Sequence, residues 1–297
     1  MSDLPSAAEM EEIAGAAAPP SPDVTLCECF PEDGLRGAAA AVPTDAKIAL
    51  IADLVACGLR SVAATAFEPP DASPAFADAE ILLRGLARPP GIAIRAGCAD
   101  PLAVRRALVA QDGGWGPEEL ALAVPQDEDW TGFEAMVALA RGRFLLTGIV
   151  EARFDRADEN ASGAVVQAAE RLATLGVTRI AIADGAGAAT PPRVRDLIGW
   201  LNGALPTATF IARFTDHRGL AMANSLAAVE AGITALDCAL GGAGGLCATE
   251  DLAAALVAMG HGTGLDLAAL CRSGEAAEAM LGRRLDSRVL RGGAIPA

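Results

Sequence analysis

The sequence is poor in the residues that most often carry proton transfer and covalent chemistry. It contains one lysine, Lys47, no tyrosine and two histidines, His217 and His261, in 297 residues. A Schiff-base aldolase needs a lysine on a strand, and Lys47 lies at the start of the first predicted helix, so that class is excluded. The absence of tyrosine excludes a tyrosine acid or base. Serine and histidine do not recur at predicted strand ends, which excludes a Ser-His triad.

Positive charge and long apolar runs are also scarce. The formal net charge is -15 without any run of lysine and arginine, which argues against a nucleic-acid partner because phosphate binding needs a basic face. No apolar stretch reaches the roughly 18 residues of a transmembrane helix. Residues 1–22 are acidic and rich in Ala and Pro, without the basic start and apolar block of a secretory signal. We expect a flexible tail at 1–22, no membrane partner and a cytoplasmic location, where the seven scattered cysteines are reduced.

From residue 23 onward, short apolar runs alternate with longer segments of helical spacing. Eight such units in about 240 residues predict an α/β protein with a (β/α)8 TIM barrel. The barrel is predicted over 23–264, and a C-terminal helical extension and tail over 265–297. A doubly wound open sheet is the alternative, but it gives no reason for eight units. The predicted strands are 24–29, 61–65, 91–96, 119–124, 144–151, 178–184, 208–214 and 235–240, and the predicted helices are 45–57, 74–87, 100–111, 128–140, 161–175, 192–204, 219–232, 249–259 and 266–282.

The carboxyl ends of the strands are the places where such a barrel carries its chemistry. Glu28 stands in an apolar strand, and a buried carboxylate needs a partner, which Arg213 at the end of the seventh strand could supply. Arg213 could instead bind an anionic substrate. Asp33 and Asp184 each precede a glycine and are equally explained as turn formers. His217, with its charged neighbours in 216–218, is equally explained as part of a solvated loop.

Five motifs carry a resemblance to a known enzyme family. The motifs are ECFPEDGLR (28–36), KIALIADLVACGLRSVAATAF (47–67), ADGAGAATP (183–191), RGLAMANSLAAVEAGITALDCALGGAGG (218–245) and ATEDLAAALVAMGHGTGLDL (248–267). Their order and spacing resemble hydroxymethylglutaryl-CoA lyase, a metal-dependent TIM barrel that splits a 3-hydroxyacyl-CoA into acetyl-CoA and a keto acid. The resemblance covers nearly the whole barrel.

The departures from this family lie at the catalytic positions. The family's Arg-Asp-Gly motif reads Glu32, Asp33 and Gly34 here, so the Asp that binds metal is present and the Arg that polarises the substrate carbonyl is replaced by the opposite charge. The family's two metal-binding histidines correspond to Arg213 and Thr215. A glutamate of the second strand is Ala63 here, the loop with a reactive cysteine is shortened to Leu246 and Cys247, and the asparagine ligand after it is absent.

The resemblance therefore implies a divergent site in which pairing of Arg213 with Glu28, Asp33 or Asp184 replaces metal–carboxylate binding. Asp33 is the one retained ligand, so we expect no cofactor, and Mg or Mn only where the family site survives. A carbon–carbon lyase acting on an acyl-CoA or a small carboxylate is the main hypothesis. A catalytically inactive homologue serving as a partner or scaffold protein is the alternative, and an ordinary metal-dependent lyase with unforeseen ligands is the third. A homo-oligomer or a protein partner is left open. The expected catalytic residues are Glu32, Asp184, His217 and Cys247, and the expected substrate-binding residues are Glu28, Arg36 and Arg213.

Overall fold

Eight parallel strands close into a barrel in which each strand pairs with the next and the eighth pairs with the first. The structure is a computed structural model that describes residues 23–38, 42–69, 71, 73–155 and 160–293. The predicted (β/α)8 fold is confirmed. The strands are β1 (Thr25–Glu28), β2 (Ser61–Ala66), β3 (Ala93–Cys98), β4 (Glu119–Ala123), β5 (Leu145–Glu151), β6 (Arg179–Asp184), β7 (Thr209–Phe214) and β8 (Ala235–Cys238).

Helices surround the barrel and connect the strands. They are α1 (Thr44–Ala56), α2 (Ala79–Gly85), α3 (Pro101–Asp112), α4 (Thr131–Ala140), α5 (Asn160–Thr174), α6 (Pro191–Ala204), α7 (Ala221–Glu230), α8 (Thr249–Ala258), α9 (Leu267–Leu281) and α10 (Val289–Gly292). Short helical turns at Phe30–Gly34 and Leu240–Gly245 follow β1 and β8. They place two loops of the chain side by side at the carboxyl end of the barrel.

Local sequence signals account for several helix boundaries. The side chain of Asp100 accepts the amide of Ala103 at 2.8 Å and caps α3, as its position before a proline predicts. Gly58 and Gly176 follow α1 and α5 with φ angles of 103° and 82°, which glycine adopts without steric cost. Thr249, a potential capping residue at the start of α8, does not cap this helix, because its hydroxyl donates to Glu28 at 2.6 Å instead.

Two predicted elements differ from the structure. The third strand is Ala93–Cys98 rather than 91–96, a shift of two residues. The predicted helix 74–87 is a single 3-10 turn, Pro74–Phe76, followed by the short helix α2. Lys47 of α1 donates to the carbonyl of Ala75 at 2.7 Å and to the carboxylate of Asp78 at 2.8 Å, so this turn is bound to α1 at the point where a continuous helix was expected.

The C-terminal segment packs back onto the barrel. Helix α9, predicted at 266–282, packs against α1 and α8 and against the turn Leu240–Gly245. Leu285 is buried, and its side chain covers Gly241, where a Cβ atom would lie 2.3 Å from it. The tail predicted at 1–22 and residues 294–297 lie outside the described residues. Among the described helices, none is both long and apolar enough to cross a membrane.

Candidate active site

A cavity of about 310 Å³ opens at the carboxyl ends of the strands. Much of its wall is made of small side chains, including Gly97 and Ala121, which leave room above the barrel core. The charged groups of the wall come from the turn after β1, from the segment after β2 and from the ends of β5 and β7. They are Glu32, Asp33, Arg36, Glu68, Glu151 and Arg213.

Arg213 links two carboxylates beneath this cavity. One of its nitrogens donates to Asp33 at 2.6 Å, and another donates to Asp237 at 2.8 Å. The side chain of Arg213 is 14% exposed, so the guanidinium lies mostly out of water and is held by charge-assisted hydrogen bonds. Of the partners that the sequence suggested for Arg213, Asp33 is present in the structure, whereas Glu28 and Asp184 have other partners.

A second arginine lies deeper in the barrel. Arg95 of β3 is 2% exposed and donates to both carboxylate oxygens of Asp237 in β8, at 2.9 and 2.8 Å. The sulfur of Cys29 accepts from the same guanidinium at 3.1 Å. Burial alone would raise the pKa of Asp237, but the charges of Arg95 and Arg213 outweigh burial and hold that pKa below its ordinary value. Asp237 is therefore an anion shared by two guanidinium groups.

This buried pair was not predicted from the sequence. The predicted third strand ends at residue 96, which puts Arg95 at its carboxyl end, whereas the strand runs to Cys98. Asp237 lies near the end of the last strand, so its position in the sequence suggests the mouth of the barrel. The strand register places Arg95 and Asp237 opposite each other in the barrel interior. No local sequence pattern predicts this contact.

Glu32 is the lining residue with the clearest capacity for proton transfer. It lies in the turn Phe30–Gly34, is 9% exposed, and has its nearest cation, Arg36, at 3.5 Å. Burial, and then the charge of Asp33, raise the pKa of Glu32 to about 7, while Arg95 and Arg213 oppose that increase. A carboxyl group that titrates near neutrality can act both as an acid and as a base.

Glu28 has a structural position rather than a position in the cavity. It is fully buried at the end of β1 and accepts the amides of Phe30 at 2.7 Å and Leu240 at 2.9 Å, as well as the hydroxyl of Thr249. Burial raises its pKa to about 7. The carboxyl group connects the turn after β1 to the turn after β8, and it does not line the cavity. Its placement favours this connecting role over the predicted contact with substrate.

Asp184 lies behind the cavity wall at the end of β6. One of its oxygens accepts the amide of Ala189 at 2.7 Å, and its backbone carbonyl accepts the hydroxyl of Thr215 at 2.7 Å. Its other carboxylate oxygen is buried without a hydrogen-bond partner. The neighbouring residues Ala183 and Gly185 line the cavity, whereas the Asp184 side chain is fully buried. The bond from the Ala189 amide agrees with the interpretation of Asp184 as a turn former.

His217 and Cys247 line a different cavity, of about 480 Å³, next to the first. His217 is exposed and lies against Gly245, and Leu246 contributes to the walls of both cavities. Cys247 is buried, and burial raises the pKa of its thiol to about 12, which keeps it protonated near neutral pH. The catalytic roles expected for this pair stay predictions, and their separation from Glu32 and Arg213 disfavours them.

Arg36 lies at the rim of the first cavity. It forms ion pairs with Glu68 and, at 3.5 Å, with Glu32, and its guanidinium stacks over the ring of Phe76 at 4.9 Å. Its side chain is 41% exposed, so it is the cation of this cavity that an incoming molecule reaches most easily. The expected role in substrate binding stays a prediction that this position allows.

The chain is similar to proteins of a known family. A family model described as HMGL-like matches residues 120–276, which is more than half of the 297-residue chain. The chain belongs to the HMGL-like family. Its curated relatives include the hydroxymethylglutaryl-CoA lyase of Pseudomonas mevalonii, 30% identical over 89% of this chain and 95% of that protein, and the mitochondrial enzyme of Rattus norvegicus, 28% identical over 90% and 88%.

Solved structures share the fold of this chain. An HMG-CoA lyase from Acinetobacter baumannii, in complex with coenzyme A and 3-methylmalate, superposes with a TM-score of 0.83 and 27% identity, covering 92% of this chain and 97% of that one. The carboxyl transferase domain of Rhizobium etli pyruvate carboxylase, at 21% identity and a TM-score of 0.72, shares the fold alone. These likenesses support a function within a family of lyases.

The divalent metal of the HMGL-like lyases does not fit the residues present here. Asp33, the one ligand that the resemblance retains, is ion-paired with Arg213, whose permanent charge stands at a position where the resemblance implies a metal-binding histidine. Among the described residues, one group of three has metal-ligating atoms close enough to share an ion: Cys27, Cys29 and Asp237. Both oxygens of Asp237 already accept from guanidinium groups, so this group does not offer a free ligand set either.

Proposed function

We propose that the protein is a metal-independent carbon–carbon lyase acting on a small 3-hydroxy acid or its thioester. The observation that carries this proposal is the pair formed by Arg213 and Asp33 at 2.6 Å beside a lining carboxyl group, Glu32, whose pKa is about 7. The guanidinium supplies fixed positive charge at the base of the cavity, and Glu32 supplies an exchangeable proton. These are the two requirements for cleaving a bond next to a hydroxyl-bearing carbon.

The proposed reaction is a retro-aldol type of cleavage. Ionised Glu32 removes the proton of the substrate's 3-hydroxyl group, and the bond between C2 and C3 breaks as the C3–O bond becomes a carbonyl. The electron pair of the broken bond moves to C2 and gives the enolate of the acid or thioester. Arg213 stabilises this negative charge through its own charge, and protonated Glu32 returns the proton to C2. No atom or electron is left over, so no redox partner is needed.

A second candidate function is that of a catalytically inactive homologue acting as a partner or scaffold protein. One observation favours it: two nitrogens of Arg213 are already occupied by Asp33 and Asp237, and Arg36 is paired with Glu68. In that case the arginines stabilise the barrel in place of the cation and do not contact substrate. A protein or a second copy of this chain would then be the partner.

A turnover assay separates the two candidates. Purified protein is incubated with 3-hydroxyacyl thioesters, including hydroxymethylglutaryl-CoA, and with free 3-hydroxy acids, with and without a chelator. The proposal expects cleavage that the chelator does not reduce and that Glu32→Gln lowers by about 100-fold or more, as loss of a general acid–base does. Glu170→Gln, on the exposed surface of α5, is the matched control and should keep full activity. No turnover with a folded protein, together with a stoichiometric co-purifying partner, would favour the scaffold function.

The cellular location forms part of the same proposal. All seven cysteines are free thiols and six of them are buried. Thiols that persist without disulfide bonds are typical of the reducing cytoplasm, which supports a cytoplasmic location.

A further inference from the structure

The charges that line the barrel-mouth cavity are unbalanced. Among the described residues that line it, four carry carboxyl groups, Glu32, Asp33, Glu68 and Glu151, and two carry guanidinium groups, Arg36 and Arg213. With Glu32 protonated, three carboxylates still face two guanidinium groups. The charged groups behind the cavity wall do not correct this imbalance. Asp184 adds a further buried carboxyl group, and Asp237 is paired with Arg95 and Arg213. A cavity whose wall carries excess negative charge attracts a cationic group and repels an anionic one.

The two arginines of the wall are also committed to carboxylates of the protein. Arg213 donates to Asp33 and Asp237, and Arg36 is paired with Glu68 and Glu32. An incoming carboxylate would have to displace one of these carboxylates to reach a guanidinium, and would leave a carboxylate without its counter-charge. An incoming ammonium group needs no such displacement.

Glu151 provides an acceptor on the β5 side of the cavity. One of its oxygens accepts the amide of Gly185 at 2.7 Å, and among the described residues no cation forms an ion pair with it. The nearby Arg153 is paired with Asp155 instead. Glu32, nine-tenths buried on the β1 side, has as its one ion-pair contact the 3.5 Å approach of Arg36. Both carboxyl groups therefore retain hydrogen-bond acceptor capacity that faces the cavity.

A metal ion does not account for these acceptors. Among the residues that the structure describes, no three of the carboxyl groups of Glu32, Asp33, Glu68 and Glu151 bring their oxygens within 4.8 Å of one another. A divalent cation needs several oxygens converging at 2.0–2.6 Å. An ammonium group needs fewer acceptors than a divalent ion, because its single nitrogen carries three donors that two or three carboxyl oxygens can accept.

We propose that this cavity selects a substrate that carries an ammonium group, held between Glu151 and Glu32, in place of a second carboxylate. The inference rests on the proposed lyase function and names the substrate class for the same site. The substrate is then an amino-substituted 3-hydroxy acid or thioester, whose hydroxyl group lies within reach of Glu32. The dicarboxylate 3-methylmalate, bound in the Acinetobacter baumannii relative, has the opposite charge character.

Calorimetric titration with two matched probes tests this proposal. The probes are 4-amino-3-hydroxybutyrate and 3-hydroxyglutarate, which share a 3-hydroxy acid core and differ in whether the other end carries an ammonium or a carboxylate. We expect the ammonium probe to bind at least about tenfold more tightly, equivalent to about 1.4 kcal/mol. Glu151→Gln keeps an oxygen for the Gly185 amide and should remove most of this preference, whereas Glu170→Gln on the outer surface should not change it.

Each of the other outcomes overturns the inference. Tighter binding of 3-hydroxyglutarate, equal binding of the two probes, or no binding of either would show that the excess negative charge does not select the ligand. Stoichiometric binding of Mn²⁺ that competes with the ammonium probe would assign the carboxylates to a metal. Binding is measured apart from turnover. If the ammonium probe binds but no amino-substituted substrate is cleaved, the lyase function fails and the binding inference stands.

Discussion

Arg213 and Asp33 form a hydrogen-bonded ion pair of 2.6 Å at the mouth of the barrel, where the resemblance to hydroxymethylglutaryl-CoA lyase implies a cation. Removing the guanidinium leaves Asp33 and the fully buried Asp237 without this counter-charge. We expect Arg213→Ala to lower the free energy of unfolding by about 3–5 kcal/mol, since breaking a buried pair on one side leaves an uncompensated charge. Denaturant unfolding measures this change.

Two variants make the test of Arg213 specific. Arg213→Lys keeps the charge but cannot reach two carboxylates with a planar fork, so it should recover only part of the loss. Arg195→Ala removes an exposed pair with Glu230, in which the side chains are 48% and 50% exposed, and should cost about 1 kcal/mol or less. Equal stability changes for Arg213→Ala and Arg195→Ala would show that Arg213 is a solvated loop residue.

The buried pair of Arg95 and Asp237 gives a second prediction. Arg95→Met should destabilise the fold by about 3–5 kcal/mol, because Asp237 then keeps one of its two counter-charges in a dry environment. Adding Asp237→Asn removes the excess charge, so the double variant should be more stable than Arg95→Met alone. Additive losses in this double-mutant cycle would contradict a direct interaction. Arg171→Met, which breaks a surface pair with Glu134, is the control.

The fold could be predicted from the sequence because the apolar pattern of each strand and helix indicates which of its residues are buried. All eight strands lie within a few residues of their predicted bounds. The interior partners could not be predicted. Glu28 needed a partner, but it accepts backbone amides of Phe30 and Leu240, and every residue carries such an amide. The predicted β3 ends at residue 96 and so puts Arg95 near the mouth, whereas Arg95 lies in the interior and donates to Asp237, 142 positions away in the sequence.

The buried carboxyl groups of Glu28 and Glu250 predict how stability depends on pH. Burial raises the pKa of Glu28 to about 7 and that of Glu250 to about 8, and Glu250 accepts the amide of Gly241 at 2.9 Å. Because these values exceed the ordinary value of 4.5, the folded chain binds more protons than the unfolded chain between about pH 4.5 and 8. Their contribution to stability is therefore fully present below that range and is lost as the pH rises through it.

Melting temperatures across this pH range check the prediction. Glu250→Gln cannot ionise, so its melting temperature should fall less between about pH 5 and pH 8 than that of the wild type. The exposed variant Glu170→Gln should follow the wild-type curve. Parallel curves for the wild type and Glu250→Gln would show that Glu250 titrates alike in the folded and unfolded chains.

The separation of the two cavities predicts which acidic and basic groups matter for turnover. His217 and Cys247 line the second cavity, so His217→Ala and Cys247→Ser should leave the cleavage rate within about threefold of the wild type. Glu32→Gln should lower it by about 100-fold or more, the contribution of a general acid–base. The comparison uses kcat for whichever 3-hydroxy substrate is cleaved. A loss of similar size in the His217 variant would return the chemistry to the second cavity.

Replacing Arg213 should allow the site to bind a divalent metal, because the guanidinium charge that repels the ion is removed. The double variant Arg213→His and Thr215→His supplies imidazoles at the two positions where the resemblance implies metal-binding histidines, and it releases Asp33 from its ion pair. Imidazole and carboxylate ligands together suit divalent transition metals. We expect this variant to gain saturable Mn²⁺ binding, which the single variant Thr215→His should lack because the guanidinium is still present.

The most direct test of the arginine-for-metal account is the metal content of the purified wild-type protein, combined with a calorimetric titration with Mn²⁺. The account predicts substoichiometric Mg, Mn and Zn, a titration without saturable heat, and a melting temperature that a chelator does not change. One tightly held divalent ion per chain, or a Mn²⁺ affinity equal to that of the Arg213→His and Thr215→His variant, would contradict it.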